Sequence, residues 1–305
     1  MVDLKIQLPE DFLDEEVRCD YLITSEIKKV WAVMLDLLME VDRICKEYNV
    51  RYFASGGTLL GAIRHKGFIP WDDDLDIYML RDDYEKFSQI ASSALKSPYF
   101  FQTKFTDPYS SVFIGKIRNS STTALTKSEM HSFLNYNKGI FIDVFPLDEI
   151  PDDERELDLF MKELHIARQK VYRVGRMNGI FSEAQGPIGY FVKKSFHKMV
   201  TIYRKRHIAD YLKSYRHYIS LVRKYNGSGC KRLASLTWEI QKRDIILKEN
   251  LSGSDIDMDF EFVKIPVPQG YDNILRSSFG NYEEFKIYPH HSSFFDTDNS
   301  YHHYQ

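Results

Sequence analysis

Only three cysteines occur in 305 residues, Cys19, Cys45 and Cys230. They form no CxxC or Cys/His cluster, which argues against a disulfide framework or structural zinc and fits a reducing compartment. No stretch approaches the roughly 20 consecutive apolar residues that a membrane-spanning helix needs. The first residues, MVDLKIQLPEDFLDEE, are acidic where a secretory leader would be basic and then apolar, so no signal peptide is expected. Strong charge of one sign is missing as well: the formal net charge of -3 announces no polyanionic partner for the chain as a whole. These absences predict a cytoplasmic protein that is soluble or, at most, peripheral at the inner face of the plasma membrane.

What is present is ordinary for a folded chain, with 43% hydrophobic and 28% charged residues, so disorder is not indicated. The length allows one elaborated domain or a catalytic domain with an appendage. Aromatic residues, at 14%, lean toward Tyr and Phe; packing, sugar stacking and a membrane surface are all open uses for them.

The most informative stretch runs from Arg51 to Met79. Tyr52, Phe53 and Ala54 read as a short buried strand, and Ser55-Gly56-Gly57 as a breaker where the backbone can approach a ligand closely. Thr58 to Ile63 follows as a short helix. A strand, a glycine turn and a helix start leave backbone N–H groups facing outward, which suits an anionic phosphate, and Arg64, His65 and Lys66 follow within the same predicted element. After the packed loop Phe68-Ile69-Pro70-Trp71, a strand is expected to begin at Asp72 and continue to Met79. Alternation would then place Asp72, Asp74 and Asp76 on one face and Leu75 and Ile77 on the other. Carboxylates so placed repel one another unless a cation lies between them, and an all-oxygen set favours Mg²⁺ or Mn²⁺ over zinc. The alternative is an acidic strand end facing water; the Gly-Gly turn just upstream weighs against it.

Gly139 to Pro146, GIFIDVFP, is an apolar run of strand length with Asp143 in its middle. A carboxylate there is costly unless it is paired, caps a turn or binds a metal. The metal reading makes it a third carboxylate beside Asp74 and Asp76. Lys116 and Arg118 share one face of a strand expected over Val112 to Arg118, either as phosphate ligands or as exposed strand charges.

GGTLLGAIRHKGFIPWDDDLDI over 56–77, RDDYEKF from Arg81, KIRNSSTT over Lys116 to Thr123, GIFIDVFPLD from Gly139 and PVPQGYDNILRSSFGNY over Pro266 to Tyr282 together resemble the LicD family of phosphotransferases, relatives of fukutin and fukutin-related protein. The matching blocks cover about residues 20–150 and 260–292, far more specific together than a DxD alone. The resemblance implies an α+β fold with a nucleotidyltransferase-type mixed sheet flanked by helices. It also implies Mg²⁺-dependent transfer of a phospho-alcohol, phosphocholine foremost, from a CDP-activated donor such as CDP-choline to a sugar hydroxyl of a cell-surface glycan, releasing CMP. The acceptor would be a lipopolysaccharide or teichoic acid, free or lipid-linked. In that reading Gly56, Gly57 and Thr58 cradle a phosphate, and Arg64, Lys116 and Arg118 offset its charge. Asp74 and Asp76 hold the metal. Asp143 completes the metal site and accepts the acceptor's proton, with Asp72 in reserve for the proton.

Residues 1–24 read as an N-terminal arm, of which residues 1–20 are expected to end in a short helix, and 25–150 as the catalytic core. The core opens with a helix over Ser25 to Tyr48 whose apolar stripe leaves Glu26, Lys29, Asp36 and Glu40 off the buried face. Arg81 to Leu95 reads as a second helix, with strands at Tyr99 to Thr103 and Thr122 to Leu125. Residues 151–250 read as a mainly helical basic insertion with breaks near Gly186-Pro187 and Asn226-Gly227. Within it, Lys193 to Arg232 carries twelve Lys and Arg against the single Asp210, interleaved with Phe196, Tyr203, Tyr211, Tyr215, Tyr218 and Tyr225. A solvated basic face, attraction to an anionic membrane or glycan carrier, and nucleic-acid binding are the readings weighed for it. Residues 251–305 are expected to complete the core. There Asp255 to Phe262 reads as an amphipathic strand with its acidic side in water rather than as a metal site, and His290-His291 as a pair that could approach the active site. Rival functions are ordinary nucleotidyl transfer to a small molecule or glycan and, in another class, a nucleic-acid-binding protein using the basic helices. The preferred reading expects no nucleic acid.

Overall fold

In a computed structural model, which describes residues 1–110, 113–125, 136–175, 187–287 and 293–304, the helix expected over Ser25–Tyr48 (α1) forms from end to end. Thr24 caps its start, accepting from Ile27 N, and Asn49 closes it in the left-handed conformation with φ 52°, as C-terminal Asn residues do. Trp31, Leu35, Leu38, Val41 and Ile44 are fully buried along it, each contributing about 1.5–3 kcal/mol of apolar burial.

The segment before α1 departs from expectation. In place of a short helix it forms a hairpin of Glu16–Arg18 (β1) and Tyr21–Ile23 (β2). Cys19 and Asp20, both at positive φ, make its two-residue turn, the geometry that matches strand twist. Upstream, Leu4, Ile6 and Leu8 alternate onto the core, a period of two that no helix could satisfy. This arm also covers the polar side of α1. Asp36 Oδ1 accepts from Lys5 N (2.8 Å) and Ile6 N (3.0 Å) and Oδ2 from the Tyr99 hydroxyl (2.6 Å), while Lys5 Nζ lies 3.3 Å from Glu40. Asp36 and Glu40 are therefore buried and bonded, not solvated.

The remaining elements follow in order: Phe53–Ala54 (β3), Gly56–Arg64 (α2), Asp76–Leu80 (β4), Arg81–Ala94 (α3), Tyr99–Gln102 (β5), Gly115–Asn119 (β6), Thr123–Leu125 (β7), Ile140–Ile150 (β8), Glu154–Gly175 (α4), Pro187–Val222 (α5), Arg232–Ala234 (β9), Ile246–Leu247 (β10), Ile256–Phe260 (β11), Val263–Val267 (β12), Tyr271–Phe279 (α6) and Phe294–Asp296 (β13). Seven strands form one mixed sheet in the order β10-β9-β8-β4-β3, with β6 also on β8 and β5 outside β6. The long strand β8 is its spine, parallel to β4 and antiparallel to β6 and β9.

Alternation along these strands gives the sheet two unlike faces. Ile77, Met79, Ile117, Ile140, Ile142 and Val144 are fully buried on the face that receives α1. The opposite face carries Asp76, Lys116, Arg118 and Asp143. A second apolar cluster joins Leu157, Phe160 and Leu164 of α4 to Tyr211, Tyr215, Tyr218 and Val222 of α5, with Ile150, Ala234 and Leu236. Those tyrosines, spaced by three and four, are the packed stripe of α5, while Arg206, Lys213 and Arg216 are exposed. For most of residues 187–205, including Lys193 and Lys194, the side chains lie outside the described residues. No helix among the described residues is long and apolar enough to cross a membrane.

Candidate active site

The acidic run does not start a strand as expected. The strand begins at Asp76, and Asp72 to Leu75 precede it as a loop after the turn at Pro70 and Trp71, because the backbone groups of Asp72 and Asp73 bond elsewhere. Asp72 N donates to Ile69 O (2.9 Å), the Trp31 indole N–H donates to Asp72 O (3.0 Å), and Asp73 N donates to Asp72 Oδ1 (3.1 Å). Strand parity therefore does not bring Asp72 and Asp74 to Asp76; the turn does.

Helix α2 starts at Gly56, whose φ of 50° suits glycine, and ends at Arg64, leaving His65 and Lys66 outside it. The glycine turn is tied to the first residue of β4: Ser55 N donates to Asp76 O (3.1 Å) and Asp76 N to Thr58 Oγ1 (2.8 Å). A Cβ at Gly57 would stand 2.8 Å from Asp72 Oδ2, and one at Gly56 3.8 Å from Asp76 Oδ2. The backbone at the N-terminus of α2 thus lies directly against the carboxylates.

Across the sheet, Asp76 of β4 is in register with Asp143 of β8, and Asp143 with Lys116 of β6. Three charged side chains therefore stand in a row on neighbouring strands, which run about 4.8 Å apart. Lys116 Nζ is 2.5 Å from Asp143 Oδ1 and 3.4 Å from the centroid of the Phe141 ring. Burial, then the charges of Asp74, Asp143 and Asp72, pushes the Asp76 carboxyl well above the ordinary range, with Lys116 pulling the other way. Burial and Asp74 push Asp72 up to about 8. Burial lowers the Lys116 ammonium, and Asp143 opposes that shift. Carboxylates this crowded favour a bound cation. Their all-oxygen chemistry fits Mg²⁺ or Mn²⁺, although among the described residues no three His, Cys, Asp or Glu side chains already converge as a ligand set.

Arg118 lies one step along the same face, its Nε donating to Gln102 Oε1 (2.6 Å), its Nη1 to Gly139 O (2.6 Å), and its Cζ 4.6 Å from the Phe141 ring. Arg64 turns toward the C-terminal segment, donating to Tyr282 O (2.7 Å) and Glu284 O (3.1 Å) and lying over Phe285. His290 and His291 lie outside the described residues.

One anchor escaped the sequence reading. In the acidic strand, Asp257 and Asp259 do face water, but Asp255 pairs with Arg51. Glu261, read as solvent-facing, has a buried side chain that accepts from both terminal guanidinium nitrogens of Arg18 at 2.7 Å and from Phe68 N (3.0 Å). It fixes the loop that delivers Asp72 to Asp74. Its partner Arg18 is 243 positions away, so no local pattern reveals it.

Residues 49–173 match the model of the LicD/FKTN/FKRP nucleotidyltransferase domain. Over 143 residues the chain is 32% identical to the lipopolysaccharide cholinephosphotransferase LicD of Haemophilus influenzae, covering 45% of this chain and 50% of that one. An uncharacterized Rickettsia prowazekii protein is 31% identical over 139 residues, 46% of each chain. The human ribitol 5-phosphate transferase FKRP is 45% identical over 42 residues, 14% of this chain and 8% of that protein. The chain thus spans about half the length of the first two curated relatives it matches.

Proposed function

We propose, for a chain whose residues 49–173 match the model of the LicD/FKTN/FKRP nucleotidyltransferase domain, a phosphotransferase that moves a phospho-alcohol from a CDP-activated donor to a sugar hydroxyl of a glycan and releases CMP. The observation that carries this reading is the Asp76, Asp143, Lys116 row beside the N-terminus of α2. Two of the similar proteins are named for transfer of a phospho-alcohol, phosphocholine in one and ribitol 5-phosphate in the other. Phosphocholine is the proposed group, since the cholinephosphotransferase is matched over the longer stretch.

The donor's phosphates sit against the Gly56 and Gly57 amides and the Thr58 hydroxyl, where the helix end is positive. The sugar hydroxyl attacks the phosphorus distal to cytidine. As the new P–O bond forms, the hydroxyl proton passes to the Asp143 carboxylate, which Lys116 orients, and the bond to the bridging oxygen breaks so that CMP carries away the electron pair. Lys116 offsets charge on the phosphoryl oxygens. Mg²⁺ or Mn²⁺, when held by Asp74 and Asp76 with Asp143, supplies further charge neutralisation. Asp72 is the reserve proton acceptor. The acceptor is a cell-surface glycan, and the exposed cations of α5 favour one on an anionic carrier at the inner face of the membrane.

The test is CMP release from CDP-choline, CDP-ribitol and CDP-glycerol with Mg²⁺, with and without EDTA and a cell-surface glycan extract. CMP from one donor, dependent on both metal and extract, supports the reading. Label from the cytidine half on the acceptor would establish nucleotidyl transfer instead, the reaction that the fold alone would suggest.

A further inference from the structure

Beyond the carboxylate row the same sheet face continues into aromatic residues. Tyr78 follows Asp76 by two on β4, Phe145 follows Asp143 by two on β8, and the pair is in register, so both rings stand on the face of the carboxylates. Their centroids are 6.0 Å apart, and Phe145 is met edge-on by Trp238, 5.2 Å away with the planes at 73°. Trp238 is 47% exposed, unlike Trp31 and Trp71, which are buried.

The loop that carries Trp238 is held with unusual care for a surface segment. Arg168 Nη2, on α4, donates to Leu236 O (3.1 Å) and Trp238 O (2.9 Å), and the Tyr218 hydroxyl of α5 donates to Leu236 O. His165 Nδ1 lies 2.8 Å from Glu239. Both helices of the second apolar cluster therefore present backbone-fixing groups to this one loop. An exposed indole on a fixed loop, one ring contact from the sheet face that carries Asp76 and Asp143, is the arrangement expected of a stacking platform.

We propose that Trp238 stacks the pyrimidine base of the nucleotide donor, and that Arg168 is a positioning residue for it. The span fits: Phe145 lies roughly 7 Å along β8 from Asp143 at about 3.3 Å per residue, and Trp238 is one ring contact from Phe145, within the reach of a nucleotide from phosphate to base. This inference rests on the nucleotide-donor reading above and adds the residue that holds the base. Trp238 lies outside the matched residues 49–173.

The experiment is calorimetric titration of the full chain with CMP and, separately, choline chloride, in wild type, Trp238→Ala, Trp238→Phe and Arg168→Gln, with circular dichroism to verify folding. Trp238→Ala should raise the Kd for CMP about tenfold, the usual worth of one base–aromatic stack. Trp238→Phe, keeping a π-face, should stay within about threefold of wild type. Arg168→Gln should weaken CMP binding and raise KM for the donor while leaving kcat near wild type. Unchanged CMP affinity in Trp238→Ala overturns the assignment and leaves the nucleotide-donor reading standing. Loss of choline binding with CMP binding intact overturns it too, placing the alcohol end on the indole. If wild type binds no CMP, the donor reading itself fails and takes this inference with it.

Discussion

Lys116 and Asp143 face each other across β6 and β8 with Nζ and Oδ1 2.5 Å apart, and both are largely withdrawn from water. Lys116 is a cation on the face that also carries Asp76, so it both orients Asp143 and dilutes the negative charge there. Lys116→Met should lower turnover about 100-fold, the usual effect of removing one preorganised charge from a transition state. Asp143→Asn should lower it at least as far, if Asp143 is the proton acceptor proposed above. Steady-state kinetics on the active donor checks both; a Lys116→Met enzyme within threefold of wild type would remove Lys116 from the mechanism.

The charges of Asp74, Asp143 and Asp72 all act on the buried Asp76 carboxyl, with Lys116 opposing them, so its negative charge costs the fold stability that a bound cation would restore. Asp76→Asn should abolish turnover while leaving the melting temperature without metal unchanged or higher, because one repelling charge is gone. Mg²⁺ should raise the melting temperature of the wild type by mass action on the folded state, and EDTA should reverse it. The same addition should leave Asp76→Asn unmoved. An equal Mg²⁺ shift in both proteins would place the cation elsewhere.

How far the sequence could be read divides along a physical line. Features set by local chemistry were legible: α1 from its apolar period, the glycine turn from Gly56 and Gly57, and β8 from its apolar run; the sheet flanked by helices was implied by the family resemblance. Asp76 and Asp143 were rightly expected in strands, since alternation needs only neighbours. What failed depended on distant partners. Parity placed Asp72 and Asp74 in a strand because nothing local shows the Trp31 indole taking Asp72 O. Glu261 looked solvated because Arg18 and the Phe68 amide come from far along the chain, and Asp36 looked exposed because the covering arm was read as a helix. The aromatic stripe of α5 was ambiguous for the same reason: only its packing on α4 shows that Tyr215 and Tyr218 belong to a core.

Arg81, the first residue of α3, donates to both oxygens of Asp148 on β8 (2.7 and 2.6 Å), and Asn226 Nδ2 adds a third bond (2.8 Å). Asp148 is fully buried, so this pair ties α3, β8 and the turn after α5 together. Removing one member strands a buried charge, which costs about 3–5 kcal/mol. Arg81→Met and Asp148→Asn should each destabilise by that order in urea unfolding, and the double variant should be less destabilised than the sum of the two, because neither leaves the other's charge behind. Additive losses would show that the two groups act independently.

His65 supplies the pH dependence. Burial first, then Arg64 and Arg18, lowers its imidazolium to about 4, while the unfolded chain keeps the ordinary value near 6.5. The folded state therefore holds His65 neutral where the unfolded state takes up a proton. The stability this gives is full above about pH 6.5, falls as pH drops from there toward 4, and levels off below. A ¹H–¹⁵N titration should find His65 neutral at pH 5.5. His65→Gln should melt less steeply with falling pH between 6.5 and 4 than the wild type. If the two proteins lose stability in parallel across that window, the acid sensitivity of the fold lies in other groups.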